Sequence, residues 1–306
     1  MQHMKKAKKK SSVVVTVILV VILIVGVGLL AYPSLANWWN NMHQSRAIVS
    51  YVEAVANLDK EDYDRMLQEA QDYNRSLLKK PNRFTLTEEE TEEYNKILDV
   101  TGTGIMGYID IPSIKVSLPI YHGTEEAVLQ VAIGHIKGTS LPVGGLGTHC
   151  AVSGHRGLPS ARLFTDIDQL KKGDTFLVQV LDRTLTYEID QIKTVLPTEL
   201  DDLEIDPEKD ECTLITCTPY GVNTHRLLVR GHRIENLAEN AHVTADAMKL
   251  APIFVAPLAA APILLLMLII LLVDSGRNGK KQKAKQNDGS KPNERPEENE
   301  DANGKV

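Results

Sequence analysis

Few residues in this chain can carry covalent or acid–base chemistry: three cysteines, Cys150, Cys212 and Cys217, and nine histidines. Cys217 closes the apolar run Thr213-Leu214-Ile215-Thr216 and precedes the turn Thr218-Pro219-Tyr220-Gly221. A thiol at a strand end facing a loop is accessible, and an accessible thiolate is a nucleophile. The same position also suits a buried structural cysteine. Arg226 follows nine residues later, where a strand returning from the intervening loop would bring it beside Cys217. A guanidinium there would stabilise a thiolate or a developing oxyanion, although most arginines end on a solvated surface. His155 is flanked by Gly154 and Gly157 and comes just after Cys150-Ala151-Val152-Ser153. Those glycines allow a tight turn and close backbone approach. His122, His135, His149, His225 and His232 have less distinctive surroundings.

Other chemistries lack their patterns. There is no C-x-x-C and no H-x-x-x-H with a carboxylate, so no metal is expected. No P-loop or dinucleotide fingerprint occurs, and no cofactor is expected. Ser153-Gly154-His155 does not form a G-x-S-x-G elbow. Cysteine–histidine chemistry remains. The odd cysteine count leaves at least one free thiol or an intermolecular bridge. A net charge of −6 argues against nucleic acid as a partner.

Stepping outward from these residues, the elements that must position them are short strands. From Gly104 the pattern has period two and β-branched residues. It predicts strands over Gly107–Ile111, Leu118–Tyr121, His149–Ser153, Thr175–Leu181, Thr184–Val195, Thr213–Thr216 and Arg226–Arg233. Pro112-Ser113, Gly144-Gly145, Lys172-Gly173-Asp174 and Asp182-Arg183 separate them. Many short strands over about 130 residues indicate a mainly β sandwich or barrel with one core. The preceding segment reads as helical. Met66, Ala70, Tyr73 and Leu77 share one helix face, Asp59 to Asp62 suits that helix's start, and another helix is expected over Ala47 to Asn57. Pro81-Asn82-Arg83 breaks the pattern, and Thr87 with Glu90 has capping-box spacing before a short third helix.

Two uncharged apolar runs, Val13 to Tyr32 and Ile253 to Val273, are each long enough to cross a bilayer as a helix. Lys5, Lys6, Lys8, Lys9 and Lys10 precede the first, and Arg277, Lys280, Lys281, Lys283 and Lys285 follow the second. Basic flanks stay cytoplasmic, so both tails are expected inside and Pro33 to Pro252 outside. The outer segment then carries −12 of the charge. Ser34-Leu35-Ala36 offers a signal-peptide cleavage pattern as an alternative to an uncleaved anchor, but the first run is long for a signal core.

Thr213-Leu214-Ile215-Thr216-Cys217 with Arg226 resembles the sortase signature, T-L-x-T-C and a downstream arginine, and Ser153-Gly154-His155-Arg156-Gly157 resembles the sortase histidine loop. Gly107-Tyr108-Ile109-Asp110-Ile111-Pro112, Gly138-Thr139-Ser140-Leu141-Pro142, Arg156-Gly157-Leu158-Pro159-Ser160-Ala161 and the stretch from Thr218 to Arg226 look like class C sortases. The resemblance implies a closed eight-stranded sortase β-barrel with N-terminal helices, flanked by the two transmembrane helices. It also implies a cysteine transpeptidase of Gram-positive bacteria with Cys217, His155 and Arg226 catalytic. Class C members cut LPxTG-like sorting signals between Thr and Gly and join the acyl end to a pilin lysine. The implied partners are LPxTG-bearing pilin subunits, a pilin lysine acceptor and the cell membrane. The alternatives are a housekeeping sortase that anchors proteins to cell-wall precursor, and an inert barrel acting as adhesin or scaffold.

Class C sortases often carry an Asp-Pro-aromatic lid before the barrel. Here the region reads Lys80-Pro81-Asn82-Arg83-Phe84: the aspartate is missing and the aromatic is displaced, leaving Pro81 and Phe84 as lid candidates. In the sortase barrel the strands ending at the histidine and the cysteine are parallel neighbours. Cys150 and Cys212, each five residues before its catalytic residue, are therefore candidates for a disulfide or for two buried thiols. The expected organisation is a basic cytoplasmic tail (1–12), a transmembrane helix or signal anchor (13–32), a helical and lid-like region (33–100), the catalytic barrel (101–236), a juxtamembrane linker (237–252), a transmembrane helix (253–273) and a disordered cytoplasmic tail (274–306).

Overall fold

The computed structural model describes residues 2–236. Eight strands close into a barrel: β1 (Ile105–Ile111), β2 (Val116–His122), β3 (Ile133–His135), β4 (Thr148–Ser153), β5 (Thr175–Val180), β6 (Arg183–Val195), β7 (Asp210–Thr218) and β8 (His225–Ile234). Around the barrel they run β1-β2-β3-β4-β7-β8-β6-β5, and β5 pairs back onto β1. Seven match the strands expected from period-two patterning. The additional strand, β3, has three residues including Gly134, too few to show alternation. It runs parallel to β2 after a crossover through the short helix α4 (Glu126–Leu129).

Alternate residues fill the barrel: Ile109, Ile120, Val152, Phe176, Val178, Leu214 and Val229 are all buried in one cluster. Ala151, Ile215 and Leu228 belong to a second, outer cluster with Val195 and Leu203. The barrel therefore has an apolar patch on its outside face as well as an apolar core.

Helix α1 runs unbroken from Gln2 to Ala56 with Pro33 inside it. The first apolar run and the helix expected over Ala47 to Asn57 are thus parts of one helix. Proline is tolerated in apolar spanning helices, where neighbouring groups re-satisfy the freed carbonyl. Within Ile18–Ala56 an apolar window of mean hydropathy 2.6 is long enough to cross a membrane, and none of it is buried. The second apolar run lies outside the described residues. Helix α2 (Lys60–Leu77) starts at Asp59, whose carboxylate accepts from Asp62 N at 2.8 Å, and it buries Ala70, Asn74 and Leu77. Helix α3 (Glu88–Lys96) begins with the Thr87–Glu90 capping box, formed in both directions.

Candidate functional site

β7 and β8 are antiparallel, and their register makes Cys217 and Arg226 direct cross-strand partners. β4 and β7 are parallel, with Ser153 opposite Ile215. His155 and Cys217 each lie two residues beyond that pair, at the same end of the barrel. Two hydrogen bonds extend the pairing past the ladder: Gly154 N donates to Ile215 O at 3.0 Å, and the Thr216 hydroxyl donates to Gly154 O at 2.7 Å. The structure thus brings the three residues singled out in sequence to one barrel end. Cys217 is half-buried, with a free thiol.

The His155 side chain is 27% exposed, and its Nε2 stands 3.7 Å from the Glu126 carboxylate on α4 without a hydrogen-bond partner. This ring nitrogen carries no structural hydrogen bond but is itself buried beside Glu126. Arg156 ties the histidine loop to the end of β7: it donates to the Thr218 hydroxyl at 3.3 Å and pairs with Asp168. Gly157 (φ +77°) packs under the Tyr220 ring, where a Cβ would come within 2.8 Å of ring carbon. Arg226 donates to the Asn223 and His225 carbonyls at 3.2 and 3.1 Å.

Two buried barrel histidines have structural partners. His135 sits between the Tyr94 hydroxyl at 2.8 Å and Ser140 O at 2.9 Å. His149 sits between Glu204 O at 2.9 Å and the Thr213 hydroxyl at 2.8 Å, and burial pushes its imidazole below the usual range. Both rings are committed to holding the fold.

Beside Arg226 an apolar groove is lined by Ile136, Val195, Leu200, Leu203, Ile215 and Leu228. Phe84 packs against the Val195–Leu203–Ile215–Leu228 cluster, and so against the same surface. Its neighbour Arg83 is buried; the guanidinium lies 4.4 Å from the Phe84 ring and donates to Gly138 O at 2.9 Å and Leu203 O at 2.8 Å. Burial lowers its pKa, and Glu204 at 3.6 Å partly offsets that. Gly138 (φ +85°) makes the close approach feasible, since a Cβ there would stand 2.1 Å from Arg83 O. Of the two lid candidates, Phe84 contacts the groove wall and Pro81 is exposed. Arg83, Arg156 and Glu126 were not singled out in sequence. Charged residues in turns read as solvated unless their carbonyl partners, distant in sequence, are known.

Cys150 and Cys212 are register partners on β4 and β7 and are fully buried, but they are free thiols, not a disulfide. The hydrogen bond between them pulls the Cys150 thiol down and pushes the Cys212 thiol up.

A family model described as the sortase domain matches residues 109–234. Sortase D of Bacillus subtilis is 30% identical over 161 residues, 51% of this chain and 78% of that one. Sortase A of Bacillus anthracis is 32% identical over 135 residues, 44% of this chain, and the match spans 62% of that relative's length. Among solved structures, sortase C1 of Streptococcus agalactiae is 53% identical, covers 63% of this chain and all of its own, and superposes with a TM-score of 0.61. Sortase C of Streptococcus pneumoniae is 43% identical, with 63% and 98% coverage and a TM-score of 0.57. These matches show that the chain belongs to the sortase family, whose members are cysteine transpeptidases.

Proposed function

We propose that this chain is a class C sortase that polymerises pilins, with Cys217, His155 and Arg226 as its catalytic residues. The observation that carries the catalytic assignment is the register that sets Cys217 opposite Arg226 while the parallel strand delivers His155 to the same barrel end. The class assignment is supported by the 53% identity to a solved sortase C1 over all of that chain.

The chemistry follows from these groups. Cys217 Sγ, its proton passed to His155, attacks the Thr carbonyl of an LPxTG-like signal, and Arg226 stabilises the oxyanion. The Thr–Gly bond then breaks, the protonated His155 gives its proton to the departing Gly amine, and a thioester remains on Cys217. A pilin lysine amine attacks the thioester and loses a proton to His155, and the Cys217 sulfur leaves. The groove of Ile136, Val195, Leu200 and Leu228 suits the Leu-Pro part of the signal. Phe84, packed on that groove and anchored by Arg83, acts as a lid over it. The organisation we assign keeps residues 13–32, within α1, as the membrane anchor, 33–100 as the helical and lid-bearing region, 101–236 as the catalytic barrel, and both tails cytoplasmic around a second span at 253–273.

A second reading, a housekeeping sortase that anchors proteins to cell-wall precursor, is favoured by the curated relatives named sortase A. The deciding experiment traps the thioester on Cys217 by intact mass with an LPxTG peptide, then offers either a pilin lysine donor or an oligoglycine-type amine. Transfer to the pilin lysine supports polymerisation, preference for oligoglycine supports anchoring, and a Cys217→Ala protein that still forms product overturns the catalytic assignment.

A further inference from the structure

The way α1 meets the barrel orients the site with respect to the membrane. The apolar run ends at Tyr32, and the helix continues without a break to Ala56. At the α-helical rise, Asn37 lies about 8 Å, Asn40 about 12 Å and Tyr51 about 28 Å beyond Tyr32 along the axis. The Asn37 side-chain oxygen accepts from Arg162 N at 2.9 Å, and the Asn40 amide donates to Ser160 O at 2.8 Å. Further up, Gln44 donates to Val131 O at 2.6 Å, just past α4. Higher still, the Tyr51 hydroxyl donates to Met106 O at 3.1 Å and accepts from Leu181 N at 2.7 Å. The contacts climb the helix in order: first the loop that follows His155, then the end of α4, then β1 and the β5–β6 turn.

By strand register the β1 and β5–β6-turn contacts fall at the barrel end that carries Ser153, and the loop that follows His155 makes the contact nearest the apolar run. The loop at 160–162 is held within about 12 Å of the end of the apolar run, while a headgroup layer extends about 5–8 Å beyond the hydrocarbon on each side. Trp38 and Trp39, 36% and 56% exposed, sit on α1 at this level, where interfacial aromatics concentrate. The β7–β8 loop points the same way. Tyr220 lies against Gly157 of the histidine loop, and Tyr220 and Val222 are 61% and 64% exposed at its tip. The opposite end, where β7 begins at Asp210, lies eight strand steps away, about 20 Å along the barrel axis once strand tilt is included.

We propose that the barrel end carrying His155 and Cys217 is a membrane-facing surface, with the 156–162 loop and the Tyr220–Val222 tip against the headgroup layer of the bilayer that α1 crosses. The partner is the lipid surface itself. The placement stands on α1 and its hydrogen bonds. Its consequence, that peptide substrate and amine acceptor reach the cleft along the membrane surface, rests on the transpeptidase reading above.

The test uses the full chain in phosphatidylcholine vesicles doped with a headgroup-nitroxide phosphatidylcholine. A Cys217→Ala background removes the accessible thiol, and one fluorophore is attached at Tyr220→Cys, at Val222→Cys, or at the exposed distal position Glu208→Cys. The nitroxide is expected to cause loss of emission at both tip positions and to leave the Glu208 label at its intensity in undoped vesicles. Equal quenching at Glu208 and the tip, or no quenching at either tip label, overturns the proposal. Thioester trapping on the unlabelled chain reads the transpeptidase assignment separately, so the two can fail independently.

Discussion

In the lid role proposed for Phe84, the Arg83 anchor sets how firmly the segment closes the groove. Its guanidinium makes two charge-assisted bonds, to Gly138 O and Leu203 O, from a buried position. Such bonds contribute about 1.5–3 kcal/mol each. Part of that is offset by the cost of burying the charge, which the lowered Arg83 pKa registers. A net closing contribution of about 2 kcal/mol is reasonable, equivalent to a roughly 30-fold shift between closed and open lid. Arg83→Met keeps most of the aliphatic stem and removes both bonds. A closed lid reduces apparent affinity by the fraction of open molecules, so the variant should lower KM for an LPxTG peptide by up to about 30-fold and leave kcat near its original value. Phe84→Ala should act in the same direction without touching the anchor, and Arg83→Lys should fall between. The assay is fluorogenic peptide cleavage with kcat and KM resolved, alongside thermal melting. A folded Arg83→Met protein with unchanged or raised KM would refute the lid assignment, as would a Phe84→Ala protein indistinguishable from wild type.

Four further outcomes follow. Arg226→Lys loses the planar fork opposite Cys217, and thioester formation should slow by about 10²-fold or more with the melting temperature unchanged; stopped-flow acylation checks this. Glu126 is 72% exposed and 3.7 Å from His155 Nε2. Glu126→Gln should therefore raise KM for the amine acceptor by no more than about fivefold while thioester formation holds, as a partition between aminolysis and hydrolysis reports. Buried His149, faced by Glu211, Arg230 and Arg83, has a pKa depressed by burial. As pH falls the unfolded chain therefore takes up this proton first: the stability contribution is complete above about pH 6.5 and declines below it toward the folded pKa. The fall in melting temperature between about pH 7 and about pH 5 should be smaller in His149→Gln than in wild type. Finally, alkylation of unfolded, unreduced protein should label all three cysteines, since Cys150 and Cys212 are free thiols; a single labelled cysteine would show that the pair is bridged.

What could be read from the sequence was local or periodic. Asp59 and the Thr87–Glu90 pair act within one helical turn, so their spacing was sufficient to place two helix starts. Seven strands showed alternation because each has an inside and an outside face; β3 is too short to show either. The equal five-residue spacings from Cys150 to His155 and from Cys212 to Cys217 foreshadow the parallel register of β4 and β7, but only when combined with a known topology. The features that set access to the site depend instead on contacts between residues far apart in sequence. Arg83 satisfies carbonyls 55 and 120 positions away, and Asn37 and Asn40 bond residues 125 and 120 positions on. Each of those three side chains reads as an ordinary polar residue on a helix or turn. Catalysis in a barrel of this kind is therefore the more legible layer, because it follows strand register. The proposed lid and the proposed orientation toward the membrane are the less legible layer, because they rest on single side chains whose partners only the folded chain supplies.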